Sequence, residues 1–302
     1  AQTIEGSQLM SLLKVATAQY DIGFINSWAD YVPKITRWVK GASEKEAAFL
    51  VFPEYFSMEL ASLFGPSVYG SLKGQLEAMQ EKLPSFLELF KGLAKQYHVH
   101  IVAGSFPVKQ PDGSYRNRAY LIQPDGKTDF QDKLQMTRFE NEHWHIAAGE
   151  SIKTFETPFG LVGINICYDS EFPILARHQV EQGADLIIVP SCTDTTAGYW
   201  RVRIGCQARA LENQCYVIQS PTVGEAPWSE AVDVNIGAAA VYTPVDYGYP
   251  DDGVLAIGEL NKTQWVYADI DLGSIGHIRR TGQVFNYRDW PGQFRCIDTH
   301  KN

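Results

Sequence analysis

The chain has 302 residues, 45% of them hydrophobic and 20% charged. That is long enough for one large domain or two ordinary ones, with no compositional sign of disorder, collagen or low complexity. A formal net charge of −9, with Lys and Arg dispersed along the chain, argues against a nucleic-acid groove and for a small-molecule or peptide-like partner. The five cysteines, Cys167, Cys192, Cys206, Cys215 and Cys296, are odd in number and form no C-x-x-C pair; this argues against a disulfide scaffold or a four-cysteine zinc site and fits a reducing, cytoplasmic setting.

Residues 1–10 lack the basic region of a signal peptide and read as a leader or a leftover of expression outside the fold. No apolar run reaches the roughly 18 residues of a membrane span, so no membrane partner is expected. From there, short β-branched runs with the length of buried strands come at 12–20, 47–54, 99–106, 119–124, 160–167, 184–191, 215–221, 237–244, 253–260 and 264–271. Helical spacing is expected over 28–42, about 71–97, 173–183 and 198–212. Pro-Asp-Gly turns at 110–115 and 123–128, and "YPDDG" at 249–253, mark hairpin connections. The pattern predicts an α/β protein with helices layered over mixed sheet, as one domain over 11–271. The tail, 272–302, loses clear periodicity but keeps aromatics, and is expected to pack at a subunit interface.

Three residues sit where chemistry is expected. Cys167, in "INICYDSEFP", ends a strand pattern, and Pro173 can open a helix six residues later. Such an elbow exposes a thiol above a sheet edge, with backbone N–H groups nearby for an anion. Ordinarily a free cysteine is a small buried hydrophobe, and the other four fit that description. Glu54, in "FLVFPEYFS", appears where the backbone leaves an apolar strand, and burial there would raise its pKa toward general acid–base work. Lys133, in "FQDKLQMTRFE", is either a solvated surface charge or an oxyanion donor.

Taken in chain order, "FPE", "DKL" and "CYDSEFP" resemble the catalytic triad of the nitrilase, or carbon–nitrogen hydrolase, superfamily, and the separations of 79 and 34 residues are similar too. The likeness extends over most of 12–271, through "VAGSF" (102–106), "RNRAYLI" (116–122), "GADLIIVPS" (183–191) and "RALENQCYV" (209–217). It implies a four-layer αββα sandwich in which Cys167 attacks an amide carbonyl, Glu54 moves the proton, and Lys133 with the Tyr168 N–H holds the oxyanion. It implies no metal or organic cofactor. It also implies a second glutamate after the lysine: counting back seven residues from Gly149 of "AGE" selects Glu142, with Glu140 the alternative. Tyr168, Asp169, Glu171 and Phe172 after the nucleophile, and Trp144, Ser191 and Thr193 on matching loops, are candidate substrate contacts. Glu171 could instead clamp Arg177. By the same likeness, a homodimer or higher homo-oligomer is expected, with 173–183, 198–212 and the tail at its interface.

One departure is Gln135, where the family commonly has histidine after the lysine. Another is the insertion-like stretch 224–237, which could cover or narrow a pocket. The histidine pairs at 98–100 and 143–145 lack further ligands for a metal, and no phosphate-binding glycine motif is present. The reading is a thiol hydrolase of non-peptide amide bonds. An N-carbamoyl amine hydrolase or a nitrilase with the same triad is the alternative, and "CYD" leans away from nitriles. From another class, a catalytically silent scaffold of the same fold remains as a competitor.

Overall fold

The computed structural model describes residues 12–297. Two six-stranded sheets face each other. The first has the order β5 (Thr128–Asp132), β4 (Tyr115–Ile122), β3 (His100–Lys109), β2 (Phe49–Val51), β1 (Leu12–Asp21) and β14 (Gln264–Asp271). The second runs β13 (Val254–Ile257), β12 (Ala240–Tyr242), β10 (Tyr216–Glu225), β9 (Ala184–Ser191), β8 (Gly160–Ile164) and β7 (Thr154–Thr157). They join where Tyr20 and Asp21 of β1 pair with Thr222 and Val223 of β10. Two short strands, β6 (Ile146–Ala147) and β11 (Val234–Asn235), extend β4 and β10.

Both faces of the first sheet are buried, so its strands read as continuous apolar runs, yet period-two alternation sorts them. Val15, Phe49, Val51, Val102 and Leu121 face the second sheet and pack with Ile164, Ile188 and Val217. Their neighbours Ala16, Leu50, Ile101 and Tyr120 turn outward to a second core beneath α1 (Trp28–Glu44) and α2 (Leu83–Tyr97), which contribute Ile35, Val39, Phe86 and Phe90. On the far side, α3 (Pro173–Glu181) and α4 (Thr196–Asn213) cover the second sheet through Val180, Val202, Cys206 and Ala210. The layers are therefore helix, sheet, sheet, helix, as expected.

The expected helix at 71–97 is broken. It forms Leu72–Met79, a 3₁₀ turn at Gln80–Lys82, and then α2. Pro84 explains the break: it lacks an N–H to continue the earlier helix but suits the first turn of a new one. The tail is more ordered than its sequence suggests. Helix Gly273–Thr281 and the turns after it pack on this chain's own α3 and α4: Arg177 Nη2 donates to the Tyr287 carbonyl, and Arg279 Nη2 to that of Asn213. Residues 1–10, read as a leader, lie outside the described residues. Among the described residues no helix is long and apolar enough to cross a membrane.

Candidate active site

Strand direction decides which loops meet. β2, β8, β9 and β10 run parallel to β1 or to each other, and two antiparallel steps, β3 to β4 to β5, bring β5 back into the same direction. The C-terminal ends of β2, β5 and β8 thus share one edge, where open α/β sheets place their sites. Glu54, Lys133 and Cys167 each follow one of these ends.

All three are buried. Lys133 is 1% exposed, not a solvated surface charge, and its Nζ lies 2.8 Å from Glu54 Oε2 and 2.5 Å from Glu140 Oε1. Asn117 Nδ2 donates to Glu54 Oε2 at 2.8 Å, and the Tyr55 hydroxyl donates to Glu140 Oε2 at 2.6 Å. The ammonium therefore stands between two carboxylates, each anchored by a neutral donor. Cys167 opens a 3₁₀ turn, Cys167–Glu171, with φ +50°. A non-glycine residue in the left-handed region is strained by about 1–3 kcal/mol, and such strain gathers at functional sites. Cys167 lines the same cavity as Glu54 and Cys192. The turn's backbone bond runs from the Asp169 N–H to the Ile166 carbonyl, and among the described residues the Tyr168 N–H donates to no backbone carbonyl.

Burial sets the protonation states. It pushes the Cys167 thiol well up, the nearby Glu54 charge adds to this, and Lys133 only partly offsets them. The resting group is thus a thiol. Burial also raises Glu54, against the pull of Lys133, while the Glu140 charge raises it further. Glu140 is held low: burial opposes its charge, but Lys133 and the hydroxyl of Tyr55 outweigh burial. For Lys133 burial works against the ammonium, and the charges of Glu140 and Glu54 keep it well above the ordinary lysine value.

A cavity of about 610 Å³ opens above the cluster, within the range of small-molecule sites. Of the candidate contacts, Tyr168, Glu171, Trp144 and Thr193 line it. Three others do not. Ser191 is buried, its hydroxyl 3.4 Å from the Ser220 carbonyl, and Phe172 stacks edge-on against Tyr168. Asp169 turns away from the cavity and accepts the backbone N–H groups of Leu134 and Gln135, at 3.1 and 2.8 Å, strapping the Cys167 turn to the Lys133 loop. Because Gln135 takes part through its backbone, the unusual side chain there is immaterial to the strap.

Glu142 is corrected. It is exposed and pairs with Arg138 at 3.0 Å, whereas Glu140 is 2% exposed and bonded to Lys133. Both lie in a π-helical turn, Phe139–Trp144, which turns residues two apart to different sides, so that Glu140 faces Lys133 and Glu142 the surface. Nor does Glu171 clamp Arg177, which pairs with Glu181 at 2.7 Å. The stretch 224–237 does wall the cavity, through Glu230, Ala231, Asp233 and Val234. Sequence reasoning missed Asn117 and Tyr55, although both stood inside quoted stretches, "RNRAYLI" and "FPEYFS". Chain order alone gave no sign that they face the carboxylates.

Known proteins share this arrangement of chain. Probable hydrolase YhcX of Bacillus subtilis is 35% identical over 280 residues, 92% of this chain but 53% of that protein, so this chain spans about half its length. Omega-amidase NIT2 of Homo sapiens is 26% identical over 289 residues, covering 92% of this chain and 96% of that one. The crystal structure of Saccharomyces cerevisiae Nit3, described as a member of branch 10 of the nitrilase superfamily, superposes with a TM-score of 0.73 at 23% identity, over 89% of this chain and 94% of that one, and so shares the fold. With a family model for carbon–nitrogen hydrolases matching residues 14–280, the chain belongs to the carbon–nitrogen hydrolase family.

Proposed function

We propose that this hydrolase cleaves a non-peptide amide bond through a thioester on Cys167. The observation that carries the reading is the buried ammonium of Lys133 held between Glu54 and Glu140 beside a thiol on a strained turn. As the sulfur attacks the carbonyl carbon, Glu54 takes the thiol proton, so no free thiolate is needed in a site whose burial disfavours one. The carbonyl oxygen becomes an oxyanion beside Lys133 and the free Tyr168 N–H. Glu54 returns its proton to the departing nitrogen, the carbon–nitrogen bond breaks, and ammonia or an amine leaves. Water then gives a proton to Glu54 and adds to the thioester carbonyl. Collapse releases the carboxylic acid, and the proton goes back to the sulfur.

Glu140 has another role. Held low and bonded to Lys133, Thr137 and Tyr55, it keeps the ammonium charged and aimed, and is a positioning residue. The reading is tested by ammonia release from a panel of amides, carbamoyl amines and nitriles, with intact-mass detection of an acyl-enzyme. Turnover of amides with an adduct on wild type but not on Cys167→Ala is the expected result, with turnover down at least ~10³-fold in the variant. Turnover that persists in Cys167→Ala would sink the nucleophile assignment. No turnover or adduct from folded protein whose Cys167 resists alkylation would favour the silent scaffold.

A further inference from the structure

Resting on the amidase reading of the site, we propose that Glu171 selects substrates carrying a positive charge beyond the scissile carbonyl. Glu171 lies four residues after the nucleophile, on the same 3₁₀ turn, and lines the cavity. Its stem rests on α4 at Gly205, where an added Cβ would come within 3.4 Å of Glu171 Cγ and 3.0 Å of the Ser170 carbonyl oxygen. The stem thus lies close to α4 while the side chain stays half-buried at the cavity wall. Among the described residues its carboxylate has neither a hydrogen-bond nor a salt-bridge partner within the chain.

The remaining charges of the wall offset that carboxylate only in part, because Arg201 and Lys133 act on it without pairing with it. Lys133 is matched by Glu54 and Glu140, and Arg138 is engaged by Glu142 through two nitrogens, at 3.0 and 3.1 Å. Arg201 faces the cavity from α4, exposed and without a salt bridge to Glu171. Against Lys133, Arg138 and Arg201 the wall sets Glu54, Glu140, Asp194, Glu230 and Asp233 as well as Glu171. A cavity of this sign repels a carboxylate-tailed amide and attracts an ammonium-tailed one. Half-burial raises the Glu171 pKa despite Arg201 and Lys133, and a bound cation would offset that cost of desolvation.

The test uses three five-carbon amides, pentanamide, 5-aminopentanamide and glutaramate, which end in a methyl, an ammonium and a carboxylate. Wild type is expected to favour 5-aminopentanamide over pentanamide by about tenfold in kcat/KM, mostly through KM, as suits one charge-assisted contact. It should disfavour glutaramate. In Glu171→Gln the ratio of the ammonium to the methyl substrate should collapse toward one. Because the readout is a ratio within each protein, partial misfolding of the variant does not mimic the effect. A wild-type ratio near one, a preference for glutaramate, or a ratio unchanged in Glu171→Gln overturns the assignment of Glu171 and leaves the amidase reading intact. Absence of turnover with all three amides overturns both.

Discussion

The two glutamates Glu140 and Glu142 stand two positions apart and differ in nearly every physical respect. One is buried and shares the Lys133 ammonium; the other is at the surface with Arg138. Replacing Glu140 by Gln removes a charge that keeps Lys133 ionised in a buried site, so kcat should fall about 10²-fold with a smaller change in KM. Glu142→Gln breaks only an exposed i, i+4 pair that solvent screens, and should leave kcat/KM within about twofold of wild type. Steady-state kinetics on the pair decides it, and equal losses in both variants would contradict the geometry. Glu54 and Cys167 were legible in the sequence because each sits just after an apolar run, whereas Lys133, after the polar strand "TDFQD", was legible only from its place between them in the chain order of the family's motifs. Glu140 was only half legible, since a count along the chain does not tell which of two glutamates in one turn faces inward. Asp169 was misread because its acceptors serve backbone N–H groups that no sequence pattern displays.

At the scale of elements, β3 shows how a strand positions a loop it does not contain. Its register slips between Val102 and Ser105, and Gly104 lies in that irregularity with φ +51°. A Cβ there would sit 2.1 Å from the Pro53 carbonyl oxygen and 2.4 Å from the Phe56 ring, so the bulge lies directly under the loop bearing Glu54. The next residue secures the loop: Ser105 Oγ accepts the Tyr55 N–H at 2.9 Å, and Ser57 Oγ donates to the Ser105 carbonyl at 2.8 Å. Gly104→Ala should cost about 3 kcal/mol, combining left-handed strain with overpacking. It should also lower kcat by displacing Glu54. A urea midpoint within error of wild type would show that the loop can yield. The strands with β-branched runs were legible element by element, "VAGSF" included. The edge strands β5, "TDFQD", and β7, "TFET", were not, because their polar residues hide the alternation that burial imposes on inner strands.

At the scale of the whole molecule, the site is a cost carried by the two cores around it, and Asp169 makes that cost measurable. Its carboxyl is fully buried, and burial pushes its pKa up to about 7 in spite of Lys133 and the Leu134 and Gln135 N–H groups. An unfolded aspartate titrates near 3.9. Below that value both states hold the proton and the group contributes nothing to the pH dependence. Between about 4 and 7 the unfolded chain releases the proton while the folded one retains it, so stability falls as pH rises. Above about 7 both have released it and the penalty is constant. The slope is ~1.4 kcal/mol per pH unit and the full penalty about 4 kcal/mol. Asp169→Asn removes the titration but leaves the other groups of the cluster in place, so their pH dependence largely cancels in the difference between the two proteins. Urea unfolding of both at pH 5, 6, 7 and 8 should show wild type losing ground to the variant up to about pH 7 and holding level beyond it. The hydrogen bond lost to the amide shifts the difference by a constant and does not alter its slope. A difference flat from pH 5 to 8 would mean that Asp169 stays ionised, and that the strap between Cys167 and Lys133 is held by charge at no cost to the fold.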